Sequence, residues 1–243
     1  MRLLVIIPAY NEEGSIERVV DNLIQNHSQY DYVVVNDGST DGGKTEEIAL
    51  SYKDKIKYIK KENGGVSSAL NVGIKNMSGE FFSWLSHDDV YYDTKIEDQI
   101  KIIEKLNDKK VLVYCQSELI DKDSNPIKAI KKDFGFRGNA LYTWDEVLMN
   151  LLNRGVLNGC GLLIPREIFD ICGLFDESLR YNQDVLMWYK IFMEKYSLYH
   201  DMTVGTKLRI HDKQLTQTGR ELFHKDSEKA SLYLIPEFTK ISS

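Results

Sequence analysis

The chain has 243 residues, 42% hydrophobic and 28% charged, enough for one large α/β domain with a real core. A net charge of −6 without an acidic or basic block argues against a nucleic-acid binder. Three cysteines, Cys115, Cys160 and Cys172, show neither CxxC spacing nor a nearby His, which argues against a zinc site or disulfide framework and for reduced thiols.

The first apolar run, Leu3 to Ile7, stops at Pro8 and is too short for a signal-peptide core or a membrane span; no later run approaches about 18 residues. A soluble, cytoplasmic protein is expected, with loose attachment at the inner face of a membrane, through a partner or lipid substrate, left open. That aliphatic run predicts a strand. Ile16, Val19, Val20, Leu23 and Ile24 fall on one helical face and predict the helix after it. The alternation recurs: a strand over Tyr32 to Val35, a helix over Thr45 to Tyr52, a strand over Ile56 to Ile59. After the Gly64-Gly65 break, Val66, Ala69, Leu70, Gly73, Ile74 and Met77 predict a helix leading into a strand at Phe81 to Leu85. Four β-α steps in succession predict a parallel, doubly wound sheet. Further on, Lys95 to Leu106 reads as a helix, Val111 to Cys115 as a strand, Asp121 to Leu141 as loops, Gly161 to Ile164 as a short strand and Val185 to Phe192 as a helix. From about Gln217 a peripheral helix or tail is expected.

Open parallel sheets bind ligands at the carboxyl ends of their strands. Polar residues concentrate there: Tyr10, Asn11 and Glu12 after the first run, Asn36 and Asp37 after the second, Asn63 after the third, and His87, Asp88 and Asp89 after the fourth. Two adjacent aspartates repel unless something positive sits beside them. A divalent cation, Mg²⁺ or Mn²⁺, held through oxygen ligands and completed by water and substrate phosphate, answers that; one aspartate of the pair is expected to cap the next helix while the other binds. A dehydrogenase or P-loop reading fails, because the first loop reads PAYNEEG and neither G-x-G-x-x-G nor G-x-x-x-x-G-K-[ST] occurs.

VIIPAYNEEGSIERVV, VVVNDGSTDGG, ENGGVSSALNVGI and GEFFSWLSHDD, in this order and spacing, resemble the N-terminal half of family 2 glycosyltransferases of the GT-A fold. NGCGLLIPREIFDICGLFDESLRYNQDVLMW resembles the family's acceptor-side segment, and LRIHD its late His-containing loop. The resemblance implies a single Rossmann-like GT-A domain over 1–215, its mostly parallel central sheet flanked by helices. Its nucleotide-sugar half would span about 1–116 and its acceptor half about 117–215, with 216–243 a C-terminal helix or tail.

It further implies a nucleoside diphosphate sugar as donor, UDP-linked, bound by Pro8, Ala9, Tyr10, Glu12, Asp37, Asn63, His87 and Asp88. Ser86-His87-Asp88 stands in the place of the family's Asp-x-Asp motif, with Ser86 replacing the first Asp. Asp88 would be the main ligand of Mn²⁺ or Mg²⁺, with His211 closing over the diphosphate or metal. The family's Glu-Asp pair falls on Gln183-Asp184, leaving Asp184 as general base for inverting transfer to a hydroxyl of a glycan or lipid-linked acceptor. Trp144, Asn158, Gly159, Cys160 and Gln183 are expected on the acceptor side, Trp144 as a loop aromatic, and Arg209 as a partner of phosphate or of a surface acid. Two rivals stay open: a sugar nucleotidyltransferase, which would need a Gly-rich basic loop after the first strand, and a binding scaffold that has kept the fold, motivated by Ser86 and Gln183. Surface polysaccharide synthesis is a family-level expectation.

Overall fold

The aliphatic run at the start forms β1 (Leu3–Ala9), and the periodic face after it becomes α1 (Ile16–Asn26), which buries Ile16, Val19, Val20 and Leu23. The computed structural model describes residues 3–26, 29–127, 135–154, 157–210 and 220–241. There follow β2 (Asp31–Asp37), α2 (Lys44–Ser51), β3 (Lys57–Lys61), α3 (Val66–Lys75) and β4 (Phe81–Trp84), each close to its predicted span. β2, β1 and β4 are almost wholly buried, as expected of parallel strands covered on both faces.

The strands pair β3-β2-β1-β4, all parallel, with Ile7 opposite Val34 and Ile6 opposite Trp84. The chain moves outward from β1 to β3 on one side, then crosses back to lay β4 on the other. That reversal is a topological switch point, and it opens a crevice at the carboxyl ends of β1, β2 and β4.

The second half adds β5 (Val90–Tyr91), α4 (Lys95–Leu106), β6 (Val111–Ile120), β7 (Ala140–Tyr142), α5 (Trp144–Arg154), β8 (Leu162–Pro165), α6 (Ile168–Cys172), α7 (Gln183–Met193), β9 (Ser197–Arg209) and α8 (Arg220–Ile241). β8 joins the halves: it runs antiparallel to β4 on one side and to β6 on the other. β9 pairs parallel with β6 and antiparallel with β5 and β7, completing one mixed sheet in which parallel pairing predominates.

Four expectations need correction. β6 runs to Ile120 instead of stopping at Cys115, and Leu141 belongs to β7, not to a loop; residues 128–134 of that stretch lie outside the described residues. β9, thirteen residues long, has no counterpart in the sequence reading. Trp144 opens α5 and packs against the core with Lys195 Nζ 6.0 Å from its ring centre, so it is not a loop aromatic. Neither Asp88 nor Asp89 caps α4, which begins after Thr94 without a side-chain cap.

One core cluster lies on the α3, α5 and α7 face of the sheet around Trp188, Phe82 and Tyr114; the other lies on the α1 and α4 face around Ile7, Val34 and Tyr91. Among the described residues no helix is long and apolar enough to cross a membrane.

Candidate active site

Past β1, Asn11 takes a left-handed backbone (φ 58°), and its carboxamide accepts a bond from Thr40 N at 2.6 Å, tying the first loop to the loop after β2. Glu12 N donates to Thr45 Oγ1 at 2.8 Å, and the Glu12 carboxylate receives Ser15 Oγ and lies 3.0 Å from His87 Nε2. Burial, helped by the nearby Asp88 charge, pushes the Glu12 carboxyl up to about 7. Pro8 and Ala9 are buried strand residues that can present only backbone edges, whereas Tyr10 is 44% exposed.

At the end of β2, Asp37 is only 3% exposed and closes the next loop. Its carboxylate accepts from Gly64 N at 2.9 Å, Gly65 N at 2.7 Å and Lys61 Nζ at 2.6 Å. Such charge-assisted bonds hold the Gly64-Gly65 turn rigidly beside the crevice. Asn63, exposed, packs its backbone against Gly38, where an added Cβ would come within 2.6 Å of Asn63 N.

The adjacent aspartates at the end of β4 part company. Asp89 turns inward: its Oδ1 accepts from Arg209 N at 2.9 Å and its Oδ2 from Cys160 Sγ at 3.4 Å. Burial, with the Asp88 charge beside it, pushes the Asp89 carboxyl up to about 7. Asp88 stays half-buried toward the crevice. Arg209, 4% exposed, braces it from behind, donating Nε to Asp88 O at 2.9 Å and Nη1 to Asp121 O at 2.7 Å. Arg209 is thus a strand-end brace on backbone carbonyls; after the hydrogen bonds from Asn125, its charge helps hold the Asp121 carboxyl below its ordinary value. His211 lies outside the described residues.

The acceptor-side candidates form a wall behind this loop. Asn158 Oδ1 accepts from Cys160 N at 2.8 Å, Gly159 lies flat against Trp84, and Cys160 Sγ sits 3.4 Å from Ser86 N. Burial first, then the Asp89 charge, pushes the Cys160 thiol far up, so it is no nucleophile. Trp188 Nε1 donates to Leu157 O at 3.0 Å and so ties α7 to this turn. At the head of α7, Asp184 Oδ1 accepts from Val185 N at 2.8 Å, and burial raises its carboxyl. Gln183 is buried, and its Oε1 has no hydrogen-bond partner among the described residues.

The family 2 glycosyl transferase model matches residues 4–170. The chain belongs to that family. Glycosyltransferases of Rickettsia typhi and Rickettsia prowazekii, both called uncharacterized, are each 50% identical over 216 residues, 88% of this chain; the chain spans 66% of the length of each. Among solved structures, Staphylococcus aureus TarS residues 1–349 in complex with UDP-GlcNAc superposes with a TM-score of 0.75 at 20% identity, over 96% of this chain and 66% of that one. The same fragment with UDP gives 0.69 at 21% identity over 87% and 61%. These likenesses show the GT-A fold.

Three contributors escaped the sequence reading. Arg18, in the first turn of α1, lies within electrostatic reach of both Asp88 and Arg209, and burial together with Arg209 holds its guanidinium below its ordinary value. Asn71 on α3 clasps the segment before α7, with Nδ2 on Phe175 O and Oδ1 on Phe175 N, both at 2.9 Å. Arg180 lays its guanidinium on Gly65, so close that a Cβ there would meet Nη1 at 2.3 Å. An Arg in the first turn of an amphipathic helix looks like solvated surface, and the other two contacts span more than a hundred positions of chain.

Proposed function

We propose that this chain is an inverting glycosyltransferase that moves a sugar from a nucleoside diphosphate, UDP in the first instance, to a hydroxyl of a glycan or lipid-linked acceptor. One observation carries the reading. The strand-end residues Glu12, Asp37, His87 and Asp88 meet at the switch point of the parallel half, and the segment leading to Asp184 is fastened to that edge by Asn71 and Arg180. The UDP and UDP-GlcNAc complexes of TarS on the same fold support a nucleotide-sugar donor.

The Gly64-Gly65 turn held by Asp37 and the exposed Tyr10 flank the place for base and ribose. One Asp37 Oδ2 lone pair is left to accept from the base. Asp184 would draw the proton from the acceptor hydroxyl as that oxygen attacks the anomeric carbon. Its raised pKa makes it a stronger base than a solvated aspartate, and attack in line with the departing diphosphate inverts the configuration. Arg18 adds positive charge on the side where the diphosphate would depart.

For a metal, the donor set among the described residues offers the Asp88 carboxylate, since Asp89 is engaged inward, and no three His, Cys, Asp or Glu among them gather as a cage. That fits Mg²⁺ or Mn²⁺ bound by one carboxylate, water and the substrate's own phosphates. When bound, such an ion would neutralise charge developing on the leaving diphosphate.

Titration of UDP into the protein with and without Mn²⁺, for the parent and Asp88→Ala, tests the reading. Metal-dependent binding that the variant loses supports it. Absence of UDP binding by a folded parent under both conditions refutes the uridine donor. UDP binding without turnover of any UDP-sugar would favour the scaffold reading raised by Ser86 and Gln183.

A further inference from the structure

α8 begins well beyond the part of the chain matched by the family model, and it is not docked as an ordinary core helix. Of its described apolar side chains only Ala230 and Leu234 are buried, while Leu222, Phe223, Leu232 and Ile235 stay 40% to 67% exposed. Its polar side chains converge on one short segment. Asp226, 4% exposed, accepts with Oδ2 from Arg180 N at 2.7 Å and from Tyr181 N at 2.9 Å. Ser227 Oγ accepts from Asn182 Nδ2 at 2.7 Å, Lys229 Nζ reaches Ser178 Oγ, and the Phe223 ring meets Tyr181 edge-on at 6.2 Å.

That segment leads directly into the head of α7. Asn182 sits left-handed (φ 56°) as the residue before the helix, its carbonyl accepts Leu186 N at 2.9 Å, and Asp184 occupies the first turn. A non-glycine residue in the left-handed region costs energy unless its neighbours hold it. Beside the Ser227, Lys229 and Phe223 contacts, this stretch is held by Asn71 on Phe175, by Gly65 under the Arg180 guanidinium, and by Asp226 on the Arg180 and Tyr181 amides. Only the last fixes the backbone next to the turn. We propose that Asp226 is a positioning residue for sugar transfer, using α8 to pin the Arg180–Asn182 turn and so to aim Asp184 at the acceptor oxygen. This rests on Asp184 being the general base. Among the described residues the Asp226 carboxylate bonds to the Arg180 and Tyr181 amides and to neither β1 nor β2, so its loss is expected to spare nucleotide binding.

The test uses the full chain and the variants Asp226→Ala, Asp226→Asn and Asp184→Asn. Hydrogen exchange at the Arg180, Tyr181 and Leu186 amides reads the pin directly; UDP titration reads the donor site; UDP release from UDP-N-acetylglucosamine with Mn²⁺, water taking the sugar in place of the acceptor hydroxyl, reads turnover. Asp226→Ala is expected to raise exchange at those amides at least tenfold, to leave UDP affinity and stoichiometry within twofold, and to lower kcat at least tenfold. Asp226→Asn, which keeps one acceptor oxygen, is expected to recover most of both effects. A helix that merely stabilised the fold would lower the active fraction, and with it UDP stoichiometry, while sparing kcat per bound site. Parent-like exchange at those amides, or parent-like kcat in Asp226→Ala while Asp184→Asn is depressed, overturns the proposal. Parent-like kcat in Asp184→Asn sinks the base assignment instead, and the pin is then judged on exchange alone. Should Asp226→Ala fail to fold, Asp226→Asn carries the same measurements.

Discussion

Lys95→Met probes a charge that the fold has swallowed. Lys95 opens α4 and is 2% exposed; its Nζ lies 3.0 Å from Ser83 Oγ, 3.4 Å from Leu162 O and 4.2 Å above the centre of the Tyr91 ring, with no carboxylate paired to it among the described residues. Burial pushes its pKa down from 10.5 to about 8. At ~1.4 kcal/mol per unit, holding the ammonium there costs about 3 kcal/mol at pH 7. Hydrogen bonds to a charged group return about 1.5–3 kcal/mol. Methionine fills nearly the same volume and leaves Ser83 Oγ its 2.8 Å bond with Tyr91 Oη. The variant should therefore match the parent at pH 7 or exceed it by up to about 1.5 kcal/mol. The sign of the pH dependence is sharper. Between pH 8 and 10.5 the unfolded chain keeps the Lys95 proton and the folded one has released it, so parent stability rises with pH while the variant's does not. Urea unfolding of both proteins from pH 7 to 10 should show the difference moving toward the parent by about 2–3 kcal/mol. A difference that stays flat over that range would refute the buried-charge reasoning.

Asp184→Asn is expected to cut kcat by about 10²–10⁴ with UDP affinity unchanged. In the parent, activity should rise with pH along an acid limb placed above the ordinary aspartate range, because burial raises the carboxyl that must be ionised; rate–pH profiles check this. Asp37→Ala strands Lys61 and two amides. It should cost about 2–4 kcal/mol by denaturant titration and abolish UDP binding by calorimetry. Gly159→Ala drives a methyl to 2.4 Å from the Trp84 ring; an overpacking loss of about 1–3 kcal/mol in unfolding measurements is expected, with a shift in Trp fluorescence. Arg209→Lys, unable to bridge Asp88 O and Asp121 O from one planar fork, should weaken metal-dependent UDP binding more than metal-free binding.

The parallel half could be read from sequence because β1 and β2 hold aliphatic runs, β4 a buried aromatic one, and most strands are followed by helices with one apolar face, so period and order point to the same answer. β9 could not. Its burial alternates irregularly through Asp201, Met202 and Thr203, because β6 shifts register at Gln116 and Gly205 packs under Cys115 and Lys95. For the proposed site, strand-end polarity singled out Glu12, Asp37, His87 and Asp88, but two adjacent aspartates look identical in one dimension. Which one turns inward is decided by Arg209 and Cys160, both distant in the chain. Arg180 and Asp226 lay beyond reach for the same reason: each acts through a partner on another element, and nothing local in its segment marks the contact.

β8 is a four-residue strand hydrogen-bonded to β4 on one edge and β6 on the other. It works as a rivet through which the donor edge and the α7 side share one continuous sheet. Swinging the two sides apart would break backbone bonds in a fully buried strand, so clamshell opening is mechanically barred. Under the proposed reading, nucleotide and acceptor would enter and leave by small displacements of the strand-end loops.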